Sequence, residues 1–316
     1  DNLLTFTVVV TDGNLTTTKK YFTEVTNVNE SATDIALSGS TVIENISGAI
    51  FGNFSLVDED ANSGIQDLTI IPNPDSHLFA IGGDLELKFI EGFSADFEVQ
   101  NSYSITLEIT DKDGTNLRKT FELSISDAND SPTSVSITGG SAAENSAGAT
   151  FGVLSTKDPD TSDTFTYSIT GGTDAESFEI GFGSSQNYTL KFKSTVSGNF
   201  ETKSSYSVIV TSTDSGSAST SSTLTLSLTD VNESPTDIDL SGGSAAENSA
   251  GASFGTLSTT DPDASDTFTY SVTGGADSAR FEIGSSNNLK FKSTVSGNYE
   301  SKSSYSVIVT STDAGS

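Results

Sequence analysis

Apolar and polar side chains alternate with a period of two along most of the chain. In SYSVIVTST, Tyr206, Val208 and Val210 fall on one side, and in TLTLSLTD (223–230) every leucine points away from the Thr and Ser side chains. This period is that of a β-strand, and no segment with a helical period stands out. The runs are short and are separated by Gly, Ser, Asn and Asp. The pattern therefore predicts an all-β fold of seven-stranded antiparallel Greek-key sandwiches, each of about 100 residues.

The alternating segments recur along the chain. ENSAGA occurs at Glu144 and Glu247, and SSYSVIVTSTD begins at Ser204 and Ser303, so the separations are 103 and 99 residues. A more diverged copy lies upstream, between IENISGA and DANDSP. The repeats predict tandem sandwiches arranged end to end. The predicted divisions are the tail of an earlier repeat (1–29), two whole repeats (30–130 and 131–233) and a third repeat truncated before its last strand (234–316).

The two ends of the chain do not coincide with the ends of a repeat. The third repeat has no counterpart of TLTLSLTD, and the chain opens with two strand-like runs around residues 6–10 and 21–25. We expect a window of a longer array, with an unpaired strand edge at each end. Exchange of the missing strand between copies is one way in which such edges become covered.

Composition excludes several functional classes. Of 316 residues, 43 are acidic and 14 are Lys or Arg, for a formal net charge of −29, which disfavours nucleic acid as a partner. The chain has no run of 18 apolar residues, so no membrane insertion is expected in this segment. Without cysteine, it has no disulfide, thiolate metal site or Cys nucleophile. His77 is the only histidine, and no tryptophan accompanies the paired acids as in a sugar-cleaving site, so we expect no enzyme.

The acidic residues concentrate at strand ends and turns, which lie at the two poles of a sandwich. In the second repeat they are Glu144, Asp158, Asp160, Glu201, Asp214, Asp230 and Glu233. Carboxylates held together at a pole repel one another unless a cation neutralises them. Calcium takes six to eight oxygen ligands in flexible geometry, so this recurrent set predicts Ca²⁺ as the cofactor.

The order of these motifs carries a resemblance to a known family. EN, then DPD, then NFE or NYE ahead of YSVIVTSTD, then DVNESP is similar to the cadherin-like tandem repeats of large calcium-binding bacterial surface adhesins, and more distantly to animal cadherins. The resemblance covers essentially the whole chain. It implies calcium ions at each junction between successive sandwiches, with ligands from one domain, the linker and the next domain.

Carried over motif by motif, the resemblance implies three ligand sets. The junction between the first and second whole repeats uses Glu44, Asp96, Glu98, Asp127, Asn129, Asp130, Asp158, Asp160 and Asp214. The next junction uses Glu144, Glu201, Asp230, Asn232, Glu233, Asp261, Asp263 and Asp313. The earliest junction uses Asn29, Glu30, Asp58, Asp60 and Asp111. Because the earliest linker has fewer acids and carries Ala32 in place of the proline, we expect it to bind calcium least tightly.

Two functions fit this interpretation. The first is an extracellular stalk or fibre segment of a bacterial cell-surface adhesin, stiffened by calcium and supporting adhesion through homotypic or tip-mediated contact. Extracellular fluid supplies calcium at the millimolar level that weak modular sites need. The second is a carbohydrate-binding module of a secreted polysaccharide-associated protein, which an exposed row of aromatic side chains on a sheet face would favour.

Overall fold

The structure is a computed structural model that describes residues 3–28, 30–59, 65, 67–110, 114–183 and 187–315. Within these residues the regular elements are β-strands and four 3-10 turns of three residues each, which confirms the predicted all-β class. None of these turns has the length or apolar character needed to cross a membrane. The chain divides into two compact units, Asp1–Asp130 and Ser131–Ser316. Each unit is described by itself.

The first unit opens with an antiparallel hairpin of two strands, β1 (Leu3–Thr11) and β2 (Thr16–Glu24). Asp12 shapes its turn, since the Oδ1 atom accepts the backbone N–H of Asn14 at 3.0 Å and of Leu15 at 2.7 Å. Every residue of both strands is exposed. This hairpin therefore presents apolar side chains on both faces, without the buried face that a sandwich gives its strands.

The rest of the first unit is a β-sandwich. Its strands are β3 (Asp34–Leu37), β4 (Thr41–Ile43), β5 (Ile50–Val57), β6 (Asp67–Ile71), β7 (Phe79–Ile81), β8 (Glu86–Phe89), β9 (Ser102–Thr110) and β10 (Asn116–Ser126), with a 3-10 turn at Ser76–Leu78. One sheet has the order β3-β5-β8-β7 and the other β4-β10-β9-β6. Alternate residues of β9 point inward, and Ile105, Leu107 and Ile109 are completely buried.

The second unit begins with a sandwich of the same topology. Its strands are β11 (Ser134–Gly139), β12 (Ser141–Ala143), β13 (Thr150–Lys157), β14 (Thr166–Gly171), β15 (Phe178–Phe182), β16 (Tyr188–Phe192), β17 (Ser205–Thr213) and β18 (Ser219–Thr229), with a 3-10 turn at Ala175–Ser177. The sheet orders are β11-β13-β16-β15 and β12-β18-β17-β14. Val208, Val210 and Leu226 are completely buried, as the alternation of their segments predicts.

The sandwiches differ from the sequence prediction in one detail. The first strand of each divides into two pieces, one in each sheet, so eight segments replace seven strands. The second piece pairs in parallel with the last strand, β4 with β10 and β12 with β18, whereas every pair was expected to be antiparallel. The reason is geometric, because the chain crosses between sheets without reversing and meets a last strand that runs in the same direction.

The second unit ends with a third sandwich. Its strands are β19 (Asp237–Gly242), β20 (Ser253–Thr260), β21 (Phe268–Gly274), β22 (Phe281–Gly284), β23 (Asn288–Phe291) and β24 (Ile308–Asp313), with 3-10 turns at Ser278–Arg280 and Ser285–Asn287. One sheet has the order β19-β20-β23-β22, and the other contains β21 and β24 alone. No described residue forms a counterpart of β18 here.

Identical sequences adopt different structures in the second and third sandwiches. Ser-Ala-Ala forms β12 at residues 141–143, but residues 244–246 with the same sequence form no strand. Likewise, Ser-Tyr-Ser-Val is part of β17 at 205–208 and is not a strand at 304–307. In the second sandwich both segments pair with β18. A strand needs a hydrogen-bonded neighbour, so the difference follows from the absence of that neighbour among the described residues.

Candidate metal centres at the sandwich ends

One buried carboxylate organises the end of the second sandwich. Glu144 follows β12 directly and is only 3% exposed. Its Oε2 atom accepts the backbone N–H of Phe200 at 2.7 Å, and its Oε1 atom accepts that of Val231 at 2.9 Å. Glu144 thus connects the turn before β17 to the linker after β18. Charge-assisted bonds of this kind are among the stronger ones in proteins.

Glu44 has the same arrangement in the first unit. It is 1% exposed, and its two oxygens accept the backbone N–H groups of Phe97 at 2.6 Å and Ala128 at 2.9 Å. The glutamate of the EN motif therefore fixes the linker that follows the last strand of each complete sandwich.

The asparagine of the EN motif also takes part, although the sequence analysis assigned it no role. Asn45, Asn145 and Asn248 have φ angles of 61°, 56° and 60°, in the left-handed region that Asn tolerates better than most residues. In that conformation the side-chain amide of Asn145 donates to Glu233 Oε1, and that of Asn45 donates to Asp130 Oδ1 at 2.9 Å. The signal in the sequence is the recurrence of EN, where Asn supplies both the backbone conformation and the donor.

Acidic side chains from three places converge within the second unit. Carboxylate oxygens of Glu144, Glu201 and Glu233 lie within 4.8 Å of one another, and so do those of Glu201, Asp230 and Asp263. Glu144 and Glu201 belong to the second sandwich, Asp230 and Glu233 to the linker, and Asp263 to the loop after β20. We call these five acids the linker cluster. The backbone N–H of Glu233 donates to Asp263 Oδ2 at 2.7 Å, which attaches the linker to the third sandwich.

The other residues predicted for this junction contact the same group. The side-chain amide of Asn232 donates to Asp313 Oδ1 at 3.2 Å, and the backbone N–H of Asp263 donates to Asp261 Oδ1 at 3.0 Å. The structure thus connects all eight residues predicted for the second junction. Their role as metal ligands stays a prediction.

Several oxygens of this group are buried without a hydrogen-bond donor. They are Glu233 Oε2, Asp261 Oδ2 and Asp263 Oδ1, and the whole Asp263 residue is only 8% exposed. No member of the linker cluster belongs to an ion pair with Lys or Arg among the described residues. Burying charged oxygens without a partner is costly. A hard divalent cation is the partner whose chemistry fits such a set of carboxylates.

Burial and repulsion between like charges raise the pKa values of two linker acids. The pKa of Glu233 is raised mainly by burial and also by the charges of Glu144, Glu201 and Asp263, while the Asn145 hydrogen bond opposes the change. The pKa of Asp230 is raised first by burial and then by Asp263 and Glu144. Both acids thus lose their protons less readily than a free carboxyl group, because they are buried beside other carboxylates.

A second acidic group lies in the loop after β13. Carboxylate oxygens of Asp158, Asp160 and Asp163 lie within 4.8 Å of one another, and the Oδ2 atoms of Asp158 and Asp163 are buried without a hydrogen-bond donor. Burial, followed by the charges of Asp160, Asp163 and Asp214, raises the pKa of Asp158. Asp163 was not among the predicted ligands. The signal for it was the third acid of DPDTSD, which recurs in DPDASD at 261–266.

The first unit brings together part of its predicted set. Carboxylate oxygens of Glu44, Glu98 and Asp127 lie within 4.8 Å of one another. Asp96 instead accepts the backbone N–H of Val99 at 2.9 Å, a local turn contact, and the side-chain amide of Asn129 donates to the carbonyl of Asp130 at 2.7 Å.

The earliest predicted junction is described only in part. Glu30 precedes β3, and Asp58 directly follows β5. Asn29, Asp60 and Asp111 lie outside the described residues.

Exposed aromatic side chains bear on the carbohydrate-binding alternative. In the described part of the second unit, the strongly exposed aromatics are Phe182 and Tyr299, which belong to different sandwiches. Phe182 packs against Tyr188 with ring centroids 5.0 Å apart. The described sheet faces of this unit therefore carry no row of exposed aromatics of the kind that would favour sugar binding.

No protein-family model and no curated protein sequence matches the chain. Solved structures do resemble it. The protocadherin GammaB4 extracellular domain is 23% identical with a TM-score of 0.62, covering 99% of this chain and 52% of that one. Domains 1–4 of protocadherin Gamma B7 are 20% identical with a TM-score of 0.61, covering 99% and 80%. Mouse cadherin-23 domains EC22–24 are 18% identical with a TM-score of 0.55, covering 88% and 90%.

These similarities concern the fold. The chain has the tandem β-sandwich architecture of cadherin extracellular repeats, and it spans about half the length of the protocadherin GammaB4 structure, at 52%. At such low identities, a ligand or partner does not follow from the fold alone.

Proposed function

We propose that the chain is a calcium-rigidified segment of an extracellular stalk or fibre of a bacterial cell-surface adhesin, and that it supports adhesion by homotypic or tip-mediated contact. The observation that carries this proposal is the linker cluster, in which acids of two sandwiches and their linker meet with buried carboxylate oxygens that lack donors. The cadherin-type fold and the order of the acidic motifs support the same function. The repeat boundaries at residues 30, 131 and 234 are part of the proposal.

At the second junction, different residues make different contacts. Glu144 holds the linker through the Val231 amide, Asn145 orients the Glu233 carboxylate, and the Glu233 amide holds Asp263. In this proposal Glu201, Asp230 and Asp263, whose carboxylate oxygens lie within 4.8 Å of one another, bind a divalent ion. Calcium would supply the positive charge that allows these carboxylates to remain close together.

Rigidity follows from shared ligands. Because the acids belong to the second sandwich, the linker and the third sandwich, an ion held by all of them restrains the movement of one sandwich against the other. An ion that binds the ordered state also stabilises it by mass action, by about 2.7 kcal/mol when its concentration is 100 times the dissociation constant.

The calcium affinity expected of such sites also bears on whether the protein acts outside the cell or in the cytosol. Modular calcium sites that bind at about 10⁻⁴ to 10⁻³ M are filled outside cells and not in the cytosol. We therefore place the segment on the cell surface or in a secreted fibre. We assign it no catalytic role, because equivalent acids recur from one sandwich to the next and the family it resembles is one of adhesion proteins.

The test is a calcium titration of the metal-free chain that follows melting temperature and hydrodynamic radius together, with magnesium as a control. We expect a calcium-selective rise in melting temperature and a more extended particle. The double variant Asp261→Asn, Asp263→Asn removes two ligands of the second junction and should lose the part of the response that this junction contributes. Asp239→Asn is the matched control, because Asp239 is an exposed acid of the same sandwich outside the cluster. An equal response of wild type and double variant would overturn the proposal.

A further inference from the structure

One sheet of the second sandwich has an outer face without charge. Its strands are β12, β14, β17 and β18, and none of their residues is Asp, Glu, Lys, Arg or His. The outward positions of β18 are all exposed and all carry a hydroxyl group: Ser219, Ser221, Thr223, Thr225, Ser227 and Thr229. The outward positions of β14 and β17 are also Ser or Thr, except for the half-buried Ile209. We call this surface the hydroxyl face.

Comparable faces of the chain do carry charges. The equivalent sheet of the first sandwich has Asp67, Glu108, Arg118 and Glu122 at outward positions, and Arg118 pairs with Glu108. On the opposite sheet of the second sandwich, Lys191 pairs with Glu179 of the neighbouring strand at 2.9 Å. The fold therefore does not require this face to be uncharged, and in a chain with a net charge of −29 it is a distinct surface.

The hydroxyl groups of this face are ordered by contacts between strands. Thr211 Oγ1 on β17 lies 2.8 Å from Thr170 Oγ1 on β14 and 2.8 Å from Ser221 Oγ on β18. Side chains held in this way lose less freedom when another surface meets them. A hydroxyl group both donates and accepts hydrogen bonds, so a face of hydroxyls is complementary to a copy of itself. Such self-complementarity is what a two-fold contact between identical chains requires.

Charge favours a second copy of the chain as the partner. Two copies that met through their acidic sandwich ends would bring like charges together, whereas the hydroxyl face lets them approach without that repulsion. A nucleic acid would need Lys or Arg, which this sheet lacks. The aromatic side chains of the sheet, Tyr167 and Tyr206, pack against the core, so the face offers no ring to a sugar.

The size of the face sets the strength of the contact. The four strands have 3, 6, 9 and 11 residues. A residue covers about 16 Å² of a sheet, so two such faces in contact bury on the order of 1,000 Å² in total. This area is at the lower end for specific interfaces and is typical of weak, transient contacts. We therefore expect reversible association and not an obligate dimer.

We propose that the hydroxyl face binds the same face of a second copy of the chain, as a two-fold contact between two packed sheets. Ile209 and the methyl groups of the threonines contribute apolar contact, and the hydroxyl groups pair around them. The inference rests on the proposed function only in giving its homotypic contact a surface, and it does not require calcium.

The test is sedimentation equilibrium of the full chain in EDTA, at concentrations up to about 1 mM, where a weak contact is populated. We expect a reversible monomer–dimer equilibrium. Raising sodium chloride from about 0.05 M to about 0.5 M should strengthen the association, because salt screens the acids at the sandwich ends. A contact made of ion pairs would instead weaken with salt.

Two variants test the face itself. Thr223→Lys on β18 and, separately, Thr211→Lys on β17 place a charge within the contact, and two-fold symmetry brings each lysine in twice. Each should weaken dimerisation at least about tenfold. Because lysine also lowers the net negative charge, a general electrostatic effect would act in the opposite direction. Ser155→Lys is the matched control, since Ser155 is an exposed, outward residue of β13 in the opposite sheet, and it should not weaken dimerisation. Circular dichroism and melting temperature check that each variant is folded.

Several outcomes would overturn the inference. They are a chain that stays monomeric, an association that neither folded lysine variant weakens, and an equal loss in Ser155→Lys. Glycan binding by the monomeric wild type that Thr223→Lys abolishes would assign the face to sugar instead. Calcium dependence separates this inference from the stalk proposal. Dimerisation in EDTA without a calcium response of the melting temperature would contradict the stalk alone, and a calcium response without dimerisation would contradict the hydroxyl-face contact alone.

Discussion

At the residue scale, buried acids of this chain occur in two environments. Asp277 is 7% exposed, but it forms an ion pair with Lys302 and accepts the backbone N–H of Ser306 at 2.8 Å. Asp263 is similarly buried, yet one of its oxygens has no donor. The first environment is complete within the chain, whereas the second leaves a buried carboxylate oxygen without a donor. Burial alone therefore does not identify a candidate ligand, and the missing donor does.

Asp277 gives a prediction about pH. The hydrogen bond from Lys302, followed by that from the Ser306 amide, lowers the pKa of Asp277 from its ordinary value of 3.8. A carboxyl group with a lowered folded-state pKa contributes stability above its unfolded-state pKa and loses that contribution as the pH falls through the folded-state value. In urea denaturation, Asp277→Asn should therefore be less stable than wild type at pH 6, and the difference should shrink below about pH 4. Asp239→Asn, at an exposed site, should show no such convergence, and a constant gap for Asp277→Asn would contradict the prediction.

The sequence identified most candidate residues but not their individual contacts. The family resemblance, carried over motif by motif, implied eight residues for the second junction, and the structure connects them, while their role as ligands stays a prediction. It could not select Asn145, because that contribution depends on a left-handed backbone and an amide directed at Glu233. It also passed over Asp163, whose buried oxygen becomes evident only when the loop after β13 is folded.

At the scale of elements, alternation predicted which side of a strand is buried, as at Leu226 and Val208. It could not predict β12, because three residues, Ser-Ala-Ala, are too short for any period. Residues 244–246 have that same sequence and form no strand, so the outcome depends on β18 and not on local propensity. Pairing between distant segments decides the short elements of a sandwich, and such pairing leaves little trace in a local pattern.

The strand β18 gives a prediction about stability. Leu226 is completely buried in the second sandwich. Leu226→Ala leaves a cavity in the core, so we expect the free energy of unfolding of that sandwich to fall by about 2–5 kcal/mol. The neighbouring Thr225 points outward, and Thr225→Ala should change it by less than about 0.5 kcal/mol. Urea denaturation, monitored by amide hydrogen exchange of β17, measures the change in the free energy of unfolding for each variant. Equal changes for the two substitutions would show that β18 is not a core strand.

At the scale of the whole molecule, the net charge of −29 is not spread evenly, because acids are concentrated at the ends of sandwiches. Exposed charges are screened by salt, with a Debye length of about 10 Å at 0.1 M and about 3 Å at 1 M. Monovalent salt therefore weakens the repulsion between these acids but does not hold two sandwiches together. A divalent ion bound by acids of both sandwiches would weaken the repulsion and also hold the sandwiches together.

This difference gives a prediction for the metal-free chain. Potassium chloride should raise its melting temperature gradually, because it screens the linker cluster. Glu201→Gln removes a charge that belongs to both groups of that cluster, so the variant should start from a higher melting temperature and gain less from salt. Asp239→Asn, which removes a charge elsewhere on the surface, should keep the wild-type salt dependence. A salt response that is the same in all three proteins would place the repulsion outside the cluster.

The identical sequences of residues 204–214 and 303–313 have a consequence for how the chain reaches its fold. During synthesis on a ribosome, β17 and β18 emerge together before residues 303–313 exist, so the correct hairpin forms without a competitor. A chain refolding from denaturant has no such order, and β18 then meets two segments of identical sequence, residues 204–214 and 303–313. Tandem near-copies favour this kind of misassembly. The order of synthesis thus distinguishes two segments, residues 204–214 and 303–313, that have the same sequence.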